Sequence, residues 1–147
     1  MIILLTRKVI SMLHEKVRNL LVETIVQKLQ PSFILLFGSF AKGTQHAKSD
    51  IDLAYYSNKV LSSYERFIFA SELSELVGCE VDLIDIRTID TVFTMQIFEQ
   101  GIPIYIEDEN ELIRQKMRIY SMYAELNEQR APVIEAIKER GSVLGDE

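Results

Sequence analysis

Four short runs of β-forming side chains, at 33–37, 51–56, 80–86 and 102–106, alternate with stretches whose apolar residues return every three or four positions. A chain patterned this way interleaves helices with strands. The expected class is therefore α/β (α+β), a mixed sheet of about four strands flanked by helices, which we place on one side of it. With 147 residues and no linker or repeat, the chain reads as a single domain over 1–147, with a helical extension from about 108. Among the helices, Ser62 and Glu65 have capping-box spacing ahead of a helix that Gly78 ends. Another is expected from about 88 to 100. Asp108 and Glu111 cap a long helix carrying Ile113, Met117, Tyr120, Tyr123 and Ala124, and Pro132 starts a further short one. Pro103 confines the last strand to a sheet edge. The order of the strands is not legible.

Charge and cysteine content narrow the function. Lys and Arg number 16 against 22 Asp and Glu, a net charge of −6. That balance disfavours stable nucleic-acid binding, which draws on excess basic charge. One cysteine, Cys79, and two histidines supply neither an intrachain disulfide nor a four-ligand thiolate zinc site, and suggest a reducing, cytoplasmic setting. No apolar run approaches the ~18 residues of a membrane span, and the first residues lack the features of a signal peptide.

The most informative stretch is FGSFAKGTQHAKSDIDL, residues 37–53. Asp50 and Asp52, two apart in a strand, project from one face, and their repulsion calls for a cation. A hard divalent ion that arrives with a nucleoside triphosphate suits oxygen ligands of this kind. In EVDLIDI, period two puts Asp82 and Glu80 on one strand face and Asp85 on the other, so Asp82 is the expected third carboxylate and Asp85 the runner-up. Three convergent acids can hold two ions roughly 3.5–4 Å apart, as nucleotidyl transfer uses them. Gly38 lets the backbone approach an anion, and Ser39 adds donors at a helix start. Each feature alone is commonplace; together they answer one chemical need.

The series Gly38-Ser39, ten residues, Asp50-x-Asp52 and a later strand Asp82 resembles the minimal nucleotidyltransferase branch of the polymerase β-type nucleotidyltransferase superfamily, over roughly 32–106. The resemblance implies that fold, with Asp50, Asp52 and Asp82 as catalytic residues binding two Mg²⁺ ions, and Asp82 helping to deprotonate the acceptor hydroxyl. It also implies that Gly38 and Ser39 bind the β- and γ-phosphates of ATP. Lys42, where the family often has Arg, and Ser49, just before Asp50, match as well and are candidate nucleotide contacts. Small members of this branch are commonly paired with a HEPN-domain ribonuclease toxin. The implied activity is transfer of AMP from ATP to a tyrosine of that partner, as antitoxin. Occlusion of the partner without catalysis, or transfer to a small molecule such as an aminoglycoside, are the alternatives.

Lys48 and His46 share the loop and could touch substrate, whereas His14 and Cys79 read as structural. With no acceptor-binding domain appended, recognition must come largely from the partner's own surface. Arg114, Lys116, Arg118, Arg130, Lys138 and Arg140 could form a docking face, or simply the wet side of a helix.

Overall fold

A computed structural model describes residues 15–42 and 50–140, with the backbone alone for Phe40 and Lys42. The elements are α1 (Glu15–Leu29), β1 (Phe33–Phe37), α2 (Ser39–Lys42), β2 (Ile51–Tyr56), α3 (Ser63–Val77), β3 (Val81–Asp85), a 3-10 turn (Ile86–Thr88), α4 (Thr91–Gln100), β4 (Ile102–Ile106) and α5 (Glu109–Glu139). The apolar stripe Leu5, Val9, Leu13, Val17, Leu20, Leu21, Ile25 and Leu29 predicts a first helix ending near Pro31. Of it, Leu5, Val9 and Leu13 lie outside the described residues, as do His14, His46, Lys48 and Ser49.

The strands lie in the order β3-β2-β1-β4. β1 runs antiparallel to both neighbours, and β2 and β3 are parallel. A parallel pair needs a long crossover, which α3 provides. Its ends are formed as the sequence requires. Ser62 N donates to Glu65 Oε1 at 2.8 Å, Glu65 N donates to Ser62 Oγ at 3.1 Å, and Gly78 closes the helix with φ 77°. β4, with Pro103, is an edge strand as expected.

Helices cover both faces of the sheet rather than one. α1 and α3 bring Leu21, Ile25, Phe69 and Leu73 against Ile34, Leu36, Leu53, Tyr55 and Leu83. On the opposite face α4 and α5 bring Ile97, Phe98, Leu112 and Ile119 against Phe33, Leu35 and Ala54. The cause is visible in β1, whose unbroken apolar run leaves no polar face to meet water.

Two further expectations need correction. The helix after β3 begins at Thr91, because Asp85 caps a 3-10 turn first and Asp90 then caps α4 through Phe93 N at 2.7 Å. Pro132 lies inside α5 instead of starting a helix. Residues 127–140 are all exposed, so the carbonyl that proline leaves without a donor can be hydrated. α5 buries Leu112, Gln115 and Ile119, while Ile113, Met117 and Tyr120 face outward. No helix of the described residues is long and apolar enough to cross a membrane.

Candidate active site

The register of the sheet assembles the site. Phe37 pairs with Asp52 across β1 and β2, and Asp52 pairs with Asp82 across β2 and β3, so the three residues form one rung at one end of the sheet. In a parallel pair, residues in register point to the same face. The Asp52 and Asp82 carboxylates are therefore side by side. Asp85, three residues on, points to the other face, as its spacing predicts.

Asp85 has a structural task. Only 1% exposed, it accepts from Arg87 N at 2.9 Å and lies 3.6 Å from Arg87 Nε. Of the two acids of β3, it is thus Asp82 that lies beside Asp52.

Gly38 follows the rung directly. Its φ is 76°, and a Cβ added there would lie 2.1 Å from Asp52 Oδ2. Glycine is thus required twice over, for its backbone conformation and because the Asp52 carboxylate occupies the space of a side chain. Ser39 opens α2 immediately after it, half-buried, and Ala41 packs α2 onto the core. The turn and the carboxylate pair are consequently one continuous surface. Of Lys42 only the backbone is described, at the end of α2, and Ser49 lies outside the described residues.

Asp50 differs from expectation, since it precedes β2 and is exposed. Its charge still reaches the site, contributing to the upward shifts of both the Asp52 carboxyl and the Cys79 thiol. Among the described residues, no three Asp, Glu, His or Cys side chains are already gathered closely enough to hold an ion. The pair Asp52–Asp82 is formed; Asp50 acts on it through its charge from an exposed position just before β2.

Electrostatics show what this pair lacks. Burial, the neighbouring Asp82 charge, a hydrogen bond with Asp82 and the charge of Asp50 together push Asp52 up to about 6, and no cation among the described residues lowers it. Adjacent carboxylates, Asp52 half-buried and Asp82 exposed, fit a hard divalent cation, whose binding would remove their repulsion.

Sequence reasoning missed a groove of about 450 Å³ beside Asp82, between α3 and the start of β3, lined also by Phe67, Glu75 and Glu80. A signal for it existed. Phe67 falls off the Phe69 and Leu73 face of α3, an apolar residue with no core to serve.

The Polymerase beta, Nucleotidyltransferase family model matches residues 19–110. The chain is 34% identical over 113 residues to the protein adenylyltransferase MntA of Shewanella oneidensis, covering 76% of this chain and 78% of that protein. A chain in a crystal structure of a toxin–antitoxin with AMP-PNP superposes with a TM-score of 0.75 at 29% identity, covering 82% of this chain and 98% of that one. A chain from the complex of tri-AMPylated Shewanella oneidensis HEPN toxin with MNT antitoxin gives 0.70 at 24% identity, covering 84% and 98%. At that identity the likeness speaks for the fold alone.

Proposed function

Since the chain belongs to the polymerase β nucleotidyltransferase family, we propose that it is a protein adenylyltransferase, moving AMP from ATP to a tyrosine hydroxyl of a HEPN-domain toxin and thereby acting as its antitoxin. The observation that carries this reading is the Phe37–Asp52–Asp82 rung with Gly38 against the Asp52 carboxylate. It supports a nucleotide held between a backbone turn and a carboxylate pair. The 34% identity to a protein adenylyltransferase supports the choice of AMP and of a protein acceptor.

In this reading Gly38 and Ser39 receive the β- and γ-phosphates, and the close approach that glycine permits places backbone donors on the anion. Asp50, Asp52 and Asp82 would hold two Mg²⁺ ions, which when bound neutralise charge on the triphosphate. Lys42 and Ser49 stand in the segment after the turn as further nucleotide contacts. The tyrosine oxygen forms a bond to the α-phosphorus while the α–β phosphoanhydride bond breaks. The electron pair leaves with pyrophosphate, and the phenolic proton passes to the Asp52–Asp82 carboxylates. Catalysis is then mostly positioning and charge stabilisation, with little covalent work for the protein.

Paired incubations of the purified chain and its cognate HEPN-domain protein, with ATP labelled on either the α- or the γ-phosphate, test the reaction type. Label reaching the partner from the α-position alone is expected. Label from the γ-position would indicate a kinase instead, and label from neither would leave inhibition to occlusion.

A further inference from the structure

The rung has two ends. Gly38 and Ser39 lie at the β1 end, and at the other end β3 is the edge of the sheet. Beyond that edge lies the groove formed by α3 and residues 78–82, which the nucleotide reading does not use. We propose that this groove holds the acceptor segment of the partner, a basic stretch of polypeptide that presents its tyrosine to the α-phosphorus over Asp82. The inference rests on the adenylyltransferase reading and adds where, and by which side chains, the acceptor is recognised.

Reaction geometry gives the first reason. In an in-line displacement the entering oxygen approaches opposite the leaving group. With the β- and γ-phosphates on Gly38 and Ser39, the leaving pyrophosphate is at the β1 end. The tyrosine must then enter from the β3 side, and the groove opens along that edge with Asp82 among its lining residues. Because the Asp82 side chain alternates away from the α3 face that holds Val81 and Leu83, the segment lies in the groove and its tyrosine crosses the edge strand to reach the carboxylates.

Charge gives the second. Glu75, Glu80 and Asp82 line the groove, and among the described residues no Lys, Arg or His lines it. Such a surface repels a second nucleotide and attracts a basic segment. Hydrophobic exposure gives the third. Phe67 in the groove wall is 65% exposed and Tyr64, one turn earlier on α3, is 73% exposed, while Phe69 and Leu73 do the packing of that helix. Aromatic rings displayed without need of the core are the usual anchors of a protein interface. At about 450 Å³ the groove takes a run of residues rather than one phenol ring.

The test uses Phe67→Ala and Glu75→Lys, both outside the nucleotide site, with the cognate HEPN-domain protein as acceptor. Each variant should raise the KM for the partner by about tenfold, leaving kcat and the affinity for AMP-PNP with Mg²⁺ within about twofold. A photo-crosslinking amino acid placed at Phe67 should join the peptide that carries the modified tyrosine. Unchanged KM in both variants, a loss of AMP-PNP affinity, or a cross-link to a segment remote from that tyrosine would overturn the assignment. If the unaltered chain transfers no AMP at all, the adenylyltransferase reading fails and the groove assignment falls with it. If it transfers normally and the variants match it, only the groove assignment falls.

Discussion

Gly38 and Asp52 constrain each other more tightly than any other pair in the site. A methyl group at position 38 would collide with Asp52 Oδ2 and would also sit at a φ of 76°. Gly38→Ala should therefore cost about 1–2 kcal/mol of stability through backbone strain, and displacement of the carboxylate should lower AMP transfer by about a hundredfold or more. Thermal unfolding and turnover measured on the same preparation check both. Asp52→Asn should abolish transfer and leave the fold intact. Its pH signature is specific. The folded-state pKa of Asp52, about 6, lies above its ordinary 3.8, so the folded protein favours the protonated carboxyl. The stability this contributes is fully present below about pH 4 and is lost as pH rises through about 6. In metal-free protein the loss should be on the order of 1 kcal/mol, discounted because the group is half exposed to screening solvent. Denaturant midpoints at pH 4 and pH 7 should therefore fall further in the unaltered protein than in Asp52→Asn. Equal changes would show that the pair does not repel as described.

Among the elements, β3 sends its two acids to opposite faces by the alternation of its side chains. Asp82 faces the site, whereas Asp85 is buried as the cap of the 3-10 turn. Asp85→Ala should destabilise the domain by about 1–2 kcal/mol and leave the chemistry of transfer in place. Asp82→Asn should do the reverse. Chemical denaturation and transfer assays on the two variants decide between these roles. This division was legible beforehand, because period two within EVDLIDI needs only neighbouring residues. So were the Ser62–Glu65 capping box and the edge position of Pro103, each a local property. The shared rung was not legible, since it depends on a register between β1, β2 and β3 set by distant contacts. Nor was the reason for Gly38, which is contact with a side chain on another strand. Covering helices on both faces were implied by the unbroken apolar β1, but a helical stripe does not reveal which face it will meet.

At the level of the molecule, the core and the site draw on the same sheet, and the far part of α5 belongs to neither. Its last buried residue is Ile119, and residues 127–140 are exposed throughout. A chain ending at Leu126 should keep its folding stability within about 1 kcal/mol, because helix stability in proteins comes mainly from tertiary packing. Unfolding followed by circular dichroism would show it, and a large loss would mean that the arm packs on the body. The claim on which the account centres is that Asp52, Asp82 and the Gly38 turn together make an AMP-transferring site. Its most direct test is the intact mass of the cognate HEPN-domain protein after incubation with ATP, Mg²⁺ and either the unaltered chain or Asp52→Asn. The account predicts a gain of whole AMP units with the unaltered chain and none with the variant; no gain with the first, or an equal gain with both, would contradict it.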